Sequence, residues 1–498
     1  MLELVAFLCG ASLMVLEMAG SRLLAPHLGT SIVVWTALIG VILASMSVGY
    51  WLGGRASDKN PSPKTLARII LAAAGVVLLA AFIHAPLLAT LAGAGMSLHT
   101  AAVLAALLLF APPALLLGMV SPYVIQVKLR SLRDSGKTGA IMGRFFALST
   151  AGSILGTFLG GYVLISYLGT RAILYAVAAT LALSALLAAP KKNRLFPLLA
   201  LVCSVAQAGH ISMKAPKDPA SGLELDTLYN HLRIFEGNYA ANSRKMRFLS
   251  TDPGSVQSGM YVDKPVELAL DYTKHYALAW HMTPEARRFL MLGGGGYSVP
   301  KHLLAAKPQA IVDVVEIDPG ITGAARQYFA LPEDRRLAVF HEDARVFLNR
   351  MAAKENTQKY DIIMGDTFTS NYNIPFHLGT VECAERIKAL LAENGVFLCN
   401  IISALTGEQG QLLRGIRASY ARVFPQIHLF PVSSPHSGDT VQNVMLLAVN
   451  GDRPIPLSWD PEIRAMLAKE WKKNLPDDIP PLWDDFAPVE RYAMPLLR

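Results

Sequence analysis

The chain has 498 residues, of which 52% are hydrophobic and only 16% charged. That length implies two or three domains, and the apolar excess excludes an ordinary soluble globule. A formal net charge of +8 would suit nucleic acid, but the basic residues sit in short loops between apolar runs, a placement that orients membrane helices instead.

Six apolar runs long enough to span a bilayer follow one another over 2–20, 31–54, 66–91, 98–125, 145–168 and 171–189, and a shorter seventh covers 195–209. No signal-peptide cleavage pattern precedes the first, which is therefore expected to remain as an anchor. Arg55, Lys59, Lys64 and Arg68 lie between the second and third runs. Lys128, Arg130, Arg133 and Lys137 lie between the fourth and fifth, and Lys191, Lys192 and Arg194 follow the sixth. These three loops are predicted to be cytoplasmic, together with the N-terminus. Residues 195–212 decide the side of everything after them: a seventh crossing puts it outside, an interfacial helix leaves it in the cytoplasm. Gly152, Gly156 and Gly160 recur every fourth residue and predict close helix packing, with a ligand groove as the alternative. Glu17 and Arg22 stand in an apolar segment, as a pair that neutralises itself or lines a polar cavity.

From about Ser221 the pattern changes. "LYNHLRIFEG" and "RKMRFLS" predict two strands joined by a turn around Gly237–Asn242, and "PVELALDYTKHYALAWHM" predicts a helix. Strand and helix signals then alternate through "RRFLMLG", "AIVDVVEID", "LAVFHED", "YDIIMGD" and "GVFLCNI", with the last helix ending near Asn394–Gly395. Alternation of this kind predicts a parallel sheet covered by helices on both faces. The expected fold is a multi-pass α-helical membrane domain over 1–212, a small β-rich hairpin region and linker over 213–262, and an α/β Rossmann-like domain over 263–498. The four cysteines read as small core residues, with Cys399 in a buried strand.

In such sheets ligands bind where strands end. After the first strand come Gly293, Gly294, Gly295 and Gly296, which let the backbone approach a ligand closely. Glu316 follows the second strand, placed for two ribose hydroxyls; Asp343 follows the third and Asp366 the fourth. A dinucleotide turn needs glycine at its sixth position, where this chain has Ser298. An S-adenosyl nucleotide is therefore favoured over a dinucleotide, with a purely structural turn as the third reading.

The stretch from about Leu228 onward resembles the polyamine aminopropyltransferases (spermidine synthases), and the whole chain resembles their membrane-fused bacterial branch, whose first helices carry a pattern like "LEMAGSRLLAPHLGTSIVVWTALIGV". The resemblance rests on "LSTDPGSVQSG", "LDYTKHYALA", "VVEIDPGITGAARQYFALPEDRR", "DARVFL", "YDIIMGDTFTSNYNIPFHLGT" and "WDDFAPVE". It implies Asp366 as catalytic base. It implies a nucleoside site of Gln257, Tyr272, the four glycines, Glu316, Ile317, Asp343, Ala344 and Thr367, and a packing role for "WDDFAPVE". The implied substrate is S-adenosylmethionine or its decarboxylated form, with 5′-methylthioadenosine released, and no metal is expected. The expected partners are a small-molecule substrate and, from the apolar runs, the lipid bilayer, with no nucleic acid; a homodimer is implied by the resemblance alone.

Three positions depart from the family. The aspartate expected fourth in the glycine turn is Gly296, a second aspartate after the catalytic one is Thr369, and a Tyr-His-Glu run is Tyr272–Thr273–Lys274. A diamine loses charged partners at all three. With intact S-adenosylmethionine as donor, Gly296 would tolerate and Lys274 would attract its carboxylate, and the methionine arm could be cleaved intramolecularly. Transfer of an aminopropyl group remains the other route. Two further classes stay open: an S-adenosylmethionine-dependent methyltransferase, and a transporter or sensor with a regulatory nucleotide domain. The expected location is the bacterial inner membrane, with the catalytic domain in the cytoplasm where the donor is made.

Overall fold

The computed structural model describes residues 1–28, 31–59, 61–131, 138–165, 168, 170–212, 222–227, 229–239, 243–251, 256–355, 358–368 and 374–497; of 26, 92, 208–212 and 497 it describes the backbone alone. The sequence-stretches around Arg133 and Lys137, the tip of the 237–242 turn, and Thr369 lie outside those residues. The chain divides into two units, Met1–Pro216 and Lys217–Arg498.

In the first unit the uncharged runs become helices, because a backbone in an apolar surrounding must satisfy its own N–H and C=O groups. They are α1 (Leu2–Leu28), α2 (Ile32–Lys59), α3 (Pro63–Gly93), α4 (Leu98–Leu109), α5 (Ala111–Ser131), α6 (Thr138–Phe158), α7 (Thr170–Ala188) and α8 (Leu195–Ser212). Ser62 and Ser97 start α3 and α4 by accepting the N–H of Thr65 and Thr100. Among the described residues, five helices are long and apolar enough to cross a membrane, and α4 with α5 makes one more if that bent pair is a single span. The span expected over 98–125 is thus broken, by 50° at Phe110. Pro112 and Pro113 explain the break, since each lacks an N–H and crowds the carbonyl one turn back. The run expected over 145–168 also departs from a regular helix, continuing from α6 as a π-helix over Leu159–Leu164.

Packing accounts for the glycine stripe. A Cβ at Gly152 or Gly156 would collide with the backbone carbonyl of Phe7 or Ala11 in α1, and one at Gly160 would lie 3.6 Å from Met18 and Val15. The expected Glu17–Arg22 pair does not form: Glu17 is half-buried and has no hydrogen-bond or ion-pair partner among the described residues. Five helical positions turn a side chain through about 140°, so the two groups leave α1 on different faces.

The second unit holds two sheets. β1 (Leu223–Asp226), β2 (His231–Asn238), β3 (Lys245–Ser250) and β4 (Ser258–Tyr261) form an antiparallel sheet in that order, so the expected hairpin is the centre of a four-stranded sheet. The larger sheet contains β5 (Arg288–Leu292), β6 (Ile311–Val315), β7 (Leu337–Phe340), β8 (Tyr360–Gly365), β9 (Leu391–Ser403), β10 (Gln426–Pro431) and β11 (Gln442–Val449). Its order is β10-β11-β9-β8-β5-β6-β7, with β5 to β9 parallel and the last two strands an antiparallel edge. Alternation along the strands fills both faces: Phe289 and Met291 enter one core, Leu290 and Leu292 the other. From β5 the chain winds outward through β6 and β7, then returns to β8 on the other side. A crevice therefore opens where β5 and β8 end.

Two helix expectations are corrected. The helix predicted over "PVELALDYTKHYALAWHM" is two short ones, Asp271–Lys274 and Ala277–Met282, because Leu268 is extended and bridges Met260 of β4. The helix predicted to end near Asn394–Gly395 ends at Leu390, and β9 begins at once.

Candidate active site

The glycine turn and Asp366 meet in the crevice between β5 and β8. The Asp366 N–H donates to the Leu292 carbonyl at 2.8 Å, which aligns the two strand ends. Gly293 has φ +92, and a Cβ there would collide with the Asp366 carbonyl oxygen, so only glycine permits this approach. Gly294 and Gly295 donate their N–H groups to Glu316 Oε2 at 2.8 and 3.4 Å, while the Asp318 N–H donates to Glu316 Oε1 at 2.9 Å. Glu316 is buried, and that burial pushes its carboxyl pKa up against the pull of these N–H bonds. The Gly296 N–H donates to Ser258 Oγ at 2.9 Å, tying the turn to β4.

Asp366 lies at the centre of a polar chain. Tyr272 Oη donates to its Oδ2 at 3.1 Å and approaches the Gln257 carbonyl at 3.3 Å. Asn400 Nδ2 donates to Oδ1 at 3.1 Å, and Asn443 Nδ2 in turn donates to Asn400 Oδ1 at 3.0 Å. Burial raises the Asp366 pKa to about 6, opposed by the bonds from Asn400 and Tyr272. Burial likewise lifts the Tyr272 phenol, and the Asp366 charge adds to it, so the tyrosine stays a donor. Tyr276 Oη donates to the Gly365 carbonyl at 2.7 Å and holds the strand end from below.

The other expected residues occupy strand ends around this centre. Asp343 caps the helix Ala344–Ala352 by accepting the N–H of Arg345 and Val346 at 2.8 and 3.1 Å. His377 Nε2 lies 3.1 Å from its Oδ2 and, ahead of the cap bonds, holds its carboxyl below the usual range. Ala344 is buried, Ile317 is 37% exposed, and Thr367 is half-buried beside Asp366. The Lys274 ammonium pairs with Asp271 at 3.1 Å. Gln257 Oε1 is buried without a hydrogen-bond partner among the described residues.

Asn400, Asn443, Ser258 and Asp318 were missed by sequence reasoning. Asn400 had a signal, as the one polar residue within "VFLCNII", whereas Asn443 lies on an antiparallel strand the alternation did not foretell. Asp318 is fully buried, accepting from Thr227 Oγ1 at 2.5 Å and Asn230 Nδ2 at 2.9 Å, and so docks the small sheet onto the large one. In the C-terminal "WDDFAPVE", Asp484 accepts from both Nη atoms of buried Arg345, at 3.1 and 2.6 Å.

A family model described as the spermine/spermidine synthase domain matches residues 272–450. A polyamine aminopropyltransferase from Vibrio vulnificus is 31% identical over 227 residues, covering 45% of this chain and 72% of that protein. An eEF1A lysine and N-terminal methyltransferase from Bos taurus is 28% identical over 145 residues, covering 28% of this chain and 20% of that protein. The crystal structure of spermidine synthase from Thermotoga maritima aligns with a TM-score of 0.32 at 18% identity, over 50% of this chain and 82% of that one.

Proposed function

The chain belongs to the spermine/spermidine synthase family, a transferase family of the polyamine aminopropyltransferase type, and from that premise we propose that it is a membrane-held enzyme that releases 5′-methylthioadenosine from an S-adenosyl donor. The observation that carries this reading is Asp366, a carboxylate at a strand end with Tyr272 on one oxygen and Asn400 on the other. An alkylamine is protonated in water and cannot attack carbon. A carboxylate whose pKa lies at about 6 is ionised at neutral pH and basic enough to take a proton as the nitrogen closes on the carbon beside the sulfonium. The sulfonium leaves readily, so alignment of donor and amine supplies much of the remaining rate.

In this reading Glu316 holds the ribose hydroxyls, Asp343 with Ala344 and Ile317 lines the adenine, and Gly293 to Gly296 with Thr367 shape the sulfur's surroundings. Gln257 and Tyr272 close the crevice opposite Asp366. The helical unit holds the enzyme at the bacterial inner membrane with the catalytic unit in the cytoplasm. Supporting that side, the apolar part of α8, Leu195–Gln207, is about 20 Å long and falls short of a bilayer core of about 30 Å.

The test is mass spectrometry of the purified full-length protein with an S-adenosyl donor and putrescine. Methylthioadenosine is expected, falling by about 10²-fold or more in Asp366→Asn. Accumulation of S-adenosylhomocysteine instead would mean methyl transfer and end this reading.

A further inference from the structure

The two donors differ only at the end of their three-carbon arm. The decarboxylated form ends in a bare ammonium; S-adenosylmethionine ends in an ammonium beside a carboxylate. Taking a bare ammonium out of water without a counter-charge costs several kcal/mol, so a site for it needs a carboxylate at the arm's end. The place beside the glycine turn that would hold one is filled. A Cβ at Gly296 would come within 3.0 Å of Ser258 Cβ and 3.4 Å of the Phe329 ring.

Of the neighbouring carboxylates among the described residues, Asp366 is assigned to the attacking amine and is bonded by Tyr272 and Asn400, and the others are bonded within the protein. Glu316 is held by the N–H groups of Gly294, Gly295 and Asp318, and Asp318 by Thr227, Asn230 and the Gly320 N–H. Asp343 is held by His377 and its helix, and Asp271 by Lys274. The segment after Asp366, "TFTSNYNIP", contains no acidic residue. Next to Ser258 in the chain, Gln257 supplies a neutral acceptor, its Oε1, buried and with no hydrogen-bond partner among the described residues. An amide oxygen suits the ammonium of a zwitterion, whose charge its own carboxylate already balances, and suits a bare ammonium poorly.

We infer that the donor is S-adenosylmethionine with its carboxylate in place, so that the group transferred is 3-amino-3-carboxypropyl. The inference rests on the reading that the site forms methylthioadenosine. In the step, the lone pair of an amine forms a bond to the carbon beside sulfur and the carbon–sulfur bond breaks. Its electron pair stays on sulfur, giving neutral methylthioadenosine, and the proton lost by the amine passes to Asp366.

Full-length protein is given each donor at equal concentration, with putrescine, and methylthioadenosine is timed by mass spectrometry. S-adenosylmethionine is expected to react at least tenfold faster. A faster decarboxylated donor overturns the inference and leaves the proposed function standing; methylthioadenosine from neither donor overturns both. The double variant Gly296→Asp with Ser258→Gly introduces a carboxylate and makes room for it. Its donor ratio is expected to move at least tenfold toward the decarboxylated form, and an unchanged ratio counts against the inference.

Discussion

At Asp366 burial and chemistry pull in opposite directions, because the environment that makes the carboxylate basic also makes its charge costly. Its folded pKa of about 6 lies above the ordinary 3.8. The folded protein therefore binds this proton more tightly than the unfolded chain. The stability this provides is complete below about pH 4, declines between pH 4 and 6, and is absent above that, where the ionised group costs on the order of 3 kcal/mol. Asp366→Asn keeps the shape and can bond Asn400 through its oxygen and Tyr272 through its nitrogen. It is expected to raise the melting temperature of the ligand-free enzyme, by more at pH 8 than at pH 5; equal or lower melting at pH 8 would contradict this. Asn400 acts on the same carboxylate by lowering its pKa. Asn400→Leu is expected to move the acid limb of kcat/KM to higher pH by roughly half to one pH unit, leaving the rate at pH 8.5 within about threefold. A uniform loss at every pH would mark Asn400 as structural only. Of this chain of residues, Asp366, Tyr272 and Gln257 were legible because each lies within a distinctive local run. The asparagines were not, because they come from strands far apart in sequence that only the sheet order brings together.

At the scale of elements, the α1–α6 seam shows how small residues serve two helices. Where Gly152 and Gly156 face α1 there is no room for a Cβ, whereas one at Gly143, also in α6, meets nothing within 4 Å. Gly156→Val is therefore expected to lower the thermal stability of the detergent-solubilised protein by about 1–3 kcal/mol, and Gly143→Ala to leave it unchanged. Equal effects at both positions would mean that the seam is not what the stripe serves. The stripe itself was readable from a four-residue spacing. Its partner helix was not, since spacing names a face and says nothing of what covers it. The same limit explains the stretch before Asp271, where helical periodicity lost to Leu268 pairing with β4. It also explains α4 and α5, where hydropathy alone gives one straight span and the prolines break it into two helices. The alternating strands were legible because apolar runs ending in glycine or a carboxylate repeat at short intervals.

For the whole molecule the telling fact is that each unit closes its own core. In Met1–Pro216 apolar side chains of α1 to α7 form one cluster, with Leu38, Ile42, Ile70 and Phe110 fully buried. In Lys217–Arg498 the clusters on the two faces of the large sheet are built from that unit's residues alone, and so is the minor cluster around Met246 and Tyr261. Every residue assigned to the donor site, from Gln257 to Asn443, also lies in the second unit. A domain with its own core can fold by itself. A fragment of residues 217–498 is therefore expected to be soluble without detergent, to unfold in one transition, and to form methylthioadenosine at a rate within about threefold of the full chain. The helical unit would then act by location, concentrating the enzyme where an amine meets the membrane surface, and its removal would change where the product appears and not how fast it forms. A folded fragment with its rate lost would instead mean that the helices are needed for activity, and the search for the amine's binding groups would move to the helical unit, beginning with Glu17, whose carboxylate has no partner among the described residues.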